Sequence, residues 1–203
     1  LGDKKKNNIL YHRSFDGGIY PAMQTALTFC KGEYVWFLNA RDLNLLNFNE
    51  LSKALQLKEF PGIIKFNARV PQKGYLKDKE RLGFSYLLRH TFNHQSYFLK
   101  LDKALEFPFN LKLKLAGDYH QLLLLWATNI SVLYIDIDLV DYDMTGATVG
   151  SLTNNQIRLE RLYSSWDVAH KTRKLSVACI FFLQIIIYSV YLFTYLFKSK
   201  FKI

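Results

Sequence analysis

Residues 175–197 constrain this chain more than any other stretch. They read LSVACIFFLQIIIYSVYLFTYLF, a run of 23 residues without one charge. About 20 apolar residues are enough to cross a bilayer core as a helix. The polar members, Ser176, Gln184, Ser189 and Thr194, are residues that a helix satisfies or hides. Tyr188, Tyr191 and Tyr195 fall in the second half, where an interfacial aromatic belt would lie. A core helix of this length normally keeps a polar stripe, so the pattern predicts a transmembrane helix. Lys171, Arg173 and Lys174 precede it, and Lys198, Lys200 and Lys202 follow. Basic residues at both ends leave its orientation unset.

The run divides the chain into a body at 1–174, the span at 175–197 and a short basic tail at 198–203. The body has the material for a packed core, since half of all 203 residues are apolar and 16% are aromatic. That excludes a disordered chain. Two cysteines, Cys30 and Cys179, exclude a disulfide scaffold, the second lying inside the apolar run. A reducing compartment is the default. The net charge is +10. A basic body beside a membrane fits contact with anionic headgroups. No recognition motif supports nucleic acid as the partner. Residues 1–8, LGDKKKNN, are polar and do not read as a signal peptide.

Within the body, strand-like and helix-like stretches alternate, which predicts an α/β layer fold. Helices are expected at 19–29, 48–57, 82–88, 115–128 and 154–174. Strands are expected at 34–38 (YVWFL), 63–70 (IIKFNARV), 96–101 and 131–140 (SVLYIDIDLV). Residues 71–80, PQKGYLKDKE, read as a charged loop.

Four groups of residues carry candidate chemistry. Asp42 follows the buried run at 34–38, and open α/β sheets bind ligands at the carboxyl ends of their strands. An oxygen ligand there suits Mg²⁺ on a phosphate, although an Asp after a strand is common in any α/β protein. Asp118 opens a helix, where a carboxylate acts either as a cap or as a general base facing a cleft. His90 and His94 share a helical spacing that can hold zinc, but the HExxH glutamate is missing. Asp136 and Asp138 point to one side of a strand. With Asp141 and Asp143 they form either a cation site or a solvated strand face. There is no GxxxxGK[ST] loop, no GxGxxG after a strand and no GxSxG elbow.

The order of these pieces carries a resemblance. Residues 14–24, Ser-Phe-Asp-Gly-Gly-Ile-Tyr-Pro-Ala-Met-Gln, resemble the S-x-x-D-x-G-I-Y-D-A-M-N signature of bacterial family 2 glycosyltransferases. These are inverting enzymes that use nucleotide sugars. Residues 32–42, Gly-Glu-Tyr-Val-Trp-Phe-Leu-Asn-Ala-Arg-Asp, resemble the family's G-E-Y-x-x-F-L-N-A-x-D segment. Further on, His94-Gln95, Ala116-Gly117-Asp118-Tyr119 and Thr145-Gly146-Ala147-Thr148 resemble a His-Gln pair, an A-x-D-Y segment and a G-[IV]-[ST] turn. Together the five segments cover roughly residues 14–150.

The resemblance implies a GT-A-like fold, a mixed nucleotide-binding sheet with helices on both faces. It implies that Asp42 helps hold Mn²⁺ or Mg²⁺ on the donor diphosphate and that Asp118 deprotonates the acceptor hydroxyl. Asp16, Asn39, Arg41, His94 and Gln95 would line the donor site. The donor would be a UDP- or GDP-sugar, and the acceptor a glycan or lipid-linked glycan in surface-polysaccharide assembly. The site would face the cytoplasm from the inner (plasma) membrane.

Three departures from the pattern matter. Pro21 replaces an Asp and Gln24 an Asn, and Arg41 stands where Gly or Asp is usual. Arg41 either contacts phosphate directly or weakens metal binding. The family also opens with a β-α-β unit that cradles the nucleoside base. Residues 1–13 can supply only its last strand, so this unit is expected to be lacking. Two functional readings follow: a working transferase, or a non-catalytic membrane-anchored remnant that acts as an interaction protein.

Overall fold

The computed structural model describes residues 11–13, 17–47, 49, 51–52, 60–70, 74–76, 81–141, 143 and 154–201. Its centre is the strand Ile63–Val70 (β3). Ile63 faces one apolar core, while Ile64 and Phe66 face another. A strand buried on both sides belongs in the middle of a layered fold. β3 pairs in parallel with Val132–Asp141 (β6), Ile63 lying opposite Val132. On its other side it pairs antiparallel with Tyr97–Lys100 (β5), Ile64 opposite Phe98. Tyr34–Val35 (β1) extends the sheet beyond β5, and Leu43–Asn44 (β2) extends it beyond β6. Gly74–Leu76 (β4) folds back on the end of β3. The order is β1-β5-β3-β6-β2, with β4 beside β3.

Helices cover this mixed sheet. They are Ile19–Leu27 (α1), Phe84–Arg89 (α2), Leu101–Glu106 (α3), Gly117–Ala127 (α4), Asn154–Thr172 (α5) and Leu175–Phe201 (α6). The larger core joins Leu27, Leu87, Phe92 and Leu123 to Val168 of α5 and Ile180 of α6. The smaller core, on the other face of the sheet, is Leu51, Ile64, Phe66 and Leu139. This is an α/β fold, a mixed sheet flanked by helices: the six named helices pack on the larger core, helical Leu51 lies on the other face, and one long apolar helix stands at the C-terminal end.

Several boundaries differ from those expected. The expected strand at 34–38 pairs only at Tyr34 and Val35, and the side chains that follow reach other elements. Trp36 Nε1 donates to the Gln95 carbonyl at 2.8 Å, and Phe37 packs edge-on against Phe109. β4 falls inside the segment read as a charged loop. Leu101 starts a helix instead of ending a strand. The helix expected at 48–57 is described only at Asn49, Leu51 and Ser52, which are helical. Cys30 and Cys179 are free thiols.

α5 and α6 form an antiparallel hairpin. Arg173 breaks the helix with φ 53° in the left-handed region, and its N–H still donates to the Ala169 carbonyl at 2.8 Å. That is the geometry of a helix stop. Within α6, Leu175–Phe193 has a mean hydropathy of 2.2 and is long and apolar enough to cross a membrane.

Candidate functional site

The site begins at the turn after β1. The Asp42 N–H donates to the Asn39 carbonyl at 3.2 Å, and Arg41 takes φ 78° to close the turn. A side chain in that region is strained, and Gly or Asp bears it best. The Asp42 carboxylate accepts the Asn39 N–H at 3.2 Å and the Asp143 N–H at 2.9 Å. It therefore ties the turn to the loop after β6. The Arg41 guanidinium lies 4.0 Å from the Asp143 carboxylate.

A short 3₁₀ turn, His94–Ser96, supplies the next wall. His94 Nε2 lies 3.2 Å from Asn39 Oδ1, and its Nδ1 lies 3.7 Å from Asp118 Oδ2. That Nδ1 is buried and makes no hydrogen bond. The imidazole thus spans the gap between the β1 turn and α4.

The first turn of α4 presents Asp118. Its Oδ1 accepts the Tyr20 hydroxyl at 3.1 Å and the Tyr119 N–H at 2.8 Å. Tyr20 comes from α1, where Gly18 at φ 149° starts the helix and Pro21 sits in the first turn, where no N–H is needed. Gly117 makes the contact possible. A Cβ there would lie 2.7 Å from the Tyr20 ring. Burial first, then the Asp118 charge, push the Tyr20 phenol far above its ordinary value. It stays protonated and donates to Asp118. Burial and the same carboxylate also push up Tyr97.

These groups surround one cavity of about 440 Å³. Asn39, Arg41, Asp42, His94, Gln95 and Asp118 all line it, so six of the expected positions converge. Asp16 lies outside the described residues, as do Thr145, Gly146, Ala147 and Thr148. Tyr20, Lys114, Asp143 and Arg161 also line the cavity. The sequence pattern does not mark them for this site, although Tyr20 stands in the first signature segment and Asp143 in the acidic cluster. Arg161 gives no sequence signal, since its helix reads simply as polar.

The other candidates do not assemble. Among the described residues, no group of three His, Cys, Asp or Glu side chains is placed to hold a metal ion. His90 follows the end of α2 and packs on the Tyr86 ring, so it does not share a helix face with His94. Asp136 accepts from Asn67 at 2.7 Å, and Asp141 pairs with Arg69 at 3.0 Å. The acidic strand is thus partly neutralised by β3.

The α5–α6 hairpin supports the site from behind. Glu160 Oε2 accepts three backbone N–H groups, Lys114 at 3.1 Å, Leu115 at 2.7 Å and Ala116 at 2.9 Å. His120 Nε2 meets Asp167 Oδ2 at 2.7 Å. Burial pulls the His120 pKa down, against the pull of Asp167. Burial pulls Asp167 upward, but the bonds from His120 and Lys171 outweigh it and hold the carboxyl below its usual range.

No protein-family model and no curated protein matches the chain. Among solved structures, it is similar to S. aureus TarS residues 1–349 in complex with UDP-GlcNAc. The TM-score is 0.56 at 14% identity, over 77% of this chain and 50% of that one. The fold is glycosyltransferase-like. The chain spans half the length of that structure, and at this identity the likeness speaks for the fold alone.

Proposed function

We propose that the chain transfers a sugar from a UDP- or GDP-sugar to an acceptor hydroxyl, on a glycan or lipid-linked glycan of the cell surface. One observation carries this reading: Asp42 and Asp118 line the same cavity. It is supported by the likeness in fold to a structure holding UDP-GlcNAc. The reaction is one inverting displacement. Asp118 takes the proton of the acceptor hydroxyl. The acceptor oxygen bonds to the anomeric carbon, the bond from that carbon to the diphosphate oxygen breaks, and the nucleoside diphosphate leaves with the electron pair. Tyr20 and the Tyr119 N–H aim the carboxylate. Arg41, Lys114 and Arg161 bring positive charge to a cavity that would take a diphosphate.

A divalent ion, Mn²⁺ or Mg²⁺, would neutralise charge on the leaving diphosphate. The donor set fits an ion held mainly by substrate phosphates. Asp42 and Asp143 offer hard oxygens, and the two N–H bonds to Asp42 leave lone pairs on its carboxylate. In this reading α6 keeps the protein on the cytoplasmic face of the plasma membrane, where nucleotide sugars are present.

The test is calorimetric titration of the detergent-solubilised chain with UDP and GDP, with and without Mn²⁺. Release of UDP from UDP-GlcNAc is measured in parallel. Metal-dependent micromolar binding is expected for one nucleotide. A folded chain that binds neither would refute the reading and return the protein to the non-catalytic alternative.

A further inference from the structure

The two sides of α6 have different surroundings. Val177, Ile180 and Gln184 are fully buried, all on one face. Gln184 is the polar residue in the middle of the apolar run, and its amide is satisfied by the body. Its Nε2 donates to the Tyr119 hydroxyl at 2.9 Å and to the Leu88 carbonyl at 3.3 Å. Its Oε1 accepts from Ser165 at 3.0 Å. Further along the same face, the Arg158 guanidinium lies 3.5 Å from the Tyr191 ring centre. From Val177 to Tyr191 the helix covers ~20 Å at 1.5 Å per residue. The body follows it for that length, through apolar packing at Val177 and Ile180 and through polar and charged groups from Gln184 to Tyr191. The other face is bare: Phe182, Ile185, Ile186, Val190 and Leu192 are exposed. On the neighbouring helix, α5 exposes Leu159 and Trp166, the indole stacked on His170 at 5.9 Å between ring centres.

A helix that crosses a bilayer is surrounded by lipid or by other spanning helices. For α6 that requires one of two costly changes. Either it leaves the Tyr119, Ser165 and Leu88 groups that now satisfy Gln184, or it carries Arg158 and Arg161 into hydrocarbon with it. A helix lying flat in the interface needs neither, because only its outer face sinks to the acyl boundary. The flanking charges fit that placement. Lys171, Arg173 and Lys174 stand before the helix, and Lys198, Lys200 and Lys202 come at its far end in sequence. Equal basic flanks give no orientation to a spanning helix. In a flat one, both ends sit at the same layer of anionic headgroups. A Trp on the neighbouring helix also suits that layer.

We propose that α6 binds the membrane in plane, with its outer face in an anionic lipid surface and its inner face docked on the body. This rests on the membrane placement given above and changes its geometry. The test uses the full chain with Cys30→Ser and Cys179→Ser, carrying Lys174→Cys or Lys198→Cys. Each variant is bound to sealed phosphatidylcholine vesicles containing phosphatidylglycerol, and a membrane-impermeant maleimide is added outside. Both positions should label to the same extent before detergent. Protection of one until detergent is added overturns the in-plane geometry while leaving the membrane reading intact. Failure to sediment with the vesicles overturns both, and a lipid-free stable dimer would assign the bare face to a second copy. Phe182→Ser with Ile186→Ser should weaken vesicle partition about a hundredfold and leave nucleotide binding unchanged; unaltered partition counts against the outer face. Gln184→Leu should lower the thermal midpoint, because the Leu88 carbonyl and the Tyr119 oxygen lose the amide that donates to them, while the Tyr119 and Ser165 hydroxyls keep the Leu87 and Leu162 carbonyls. An unchanged midpoint means the inner face is not docked.

Discussion

Asp118→Asn separates a catalytic carboxylate from a structural one. Asparagine keeps an Oδ1 in place to accept the Tyr119 N–H, now at 2.8 Å, and the Tyr20 hydroxyl, now at 3.1 Å. The folded state therefore loses only the charge on two hydrogen bonds, about 1 kcal/mol. What disappears is the proton acceptor. A positioned general base contributes roughly 10²–10⁴-fold, which is about 2.7–5.4 kcal/mol of barrier. Removing a negative charge from the cavity does not harm diphosphate binding, so donor affinity should hold or rise slightly.

The assay is UDP release from UDP-GlcNAc with a membrane glycolipid extract as acceptor, alongside calorimetric UDP titration. A loss of less than tenfold in turnover would refute the role of base. An equal loss in nucleotide affinity would refute it too, because Asp118 would then be part of the donor site. Tyr20→Phe provides the graded comparison. The phenol only aims the carboxylate, so its removal should cost about tenfold and leave the pH dependence unchanged. If Tyr20→Phe were as damaging as Asp118→Asn, the phenol and not the carboxylate would be the group that handles the proton.

Three further outcomes are expected. Asp42→Ala should abolish the Mn²⁺-dependent part of nucleotide binding, and unchanged affinity in calorimetry would remove it as a metal ligand. Gly117→Ala gains helix propensity of about 1 kcal/mol but drives a methyl into the Tyr20 ring. It should lower stability by about 1–3 kcal/mol in a denaturant titration and reduce turnover as Tyr20 leaves Asp118; a more stable, fully active variant would contradict the packing. Acidification should destabilise the fold in two steps. Folded His120 resists protonation, so its contribution is complete above its ordinary value of 6.5 and is lost as pH falls through the folded value. Asp167 adds a second loss below its ordinary value of 3.8. Thermal midpoints across pH check the sign, and His120→Gln should flatten the first step.

The parts of this fold legible in the sequence are those whose pattern is local. β3 alternates apolar and polar residues, β6 repeats an apolar-rich strand pattern, α4 carries four consecutive leucines, and α6 contains 23 residues without a charge. The edges of the sheet were not legible. Tyr34–Val35 and Leu43–Asn44 are two-residue strands, shorter than any periodicity. Just past β1, Trp36 bonds to a carbonyl 59 positions away. The site divides in the same way. Asp42 and Asp118 stand at places that a sheet and a helix mark by themselves. Tyr20 reaches Asp118 across 98 positions, and only the tertiary fold makes that a contact. Arg41 was legible as a departure, since a residue held at φ 78° explains why Gly or Asp suits the position.

Asp118 at a helix start reads equally well as a cap, and the structure divides the two roles between its oxygens. The residue that begins α4 is Ala116, which has no side-chain oxygen, and α4 has no local side-chain cap. The N–H groups leading into it would be orphaned near the core. Glu160 satisfies three of them from α5, 44 positions from Ala116. Asp118 Oδ1 takes the Tyr119 N–H of the first turn, and with Glu160 serving the N–H groups before it, Asp118 Oδ2 is left directed at His94. The same helix pair that caps α4 also holds the next two residues, through Gln184 to Tyr119 and Asp167 to His120. The bare face of α6 and the carboxylate of Asp118 therefore belong to one rigidly bonded unit. A surface bound at α6 would fix the height of Asp118 above it, as the proposed base acting on a membrane-borne hydroxyl would require.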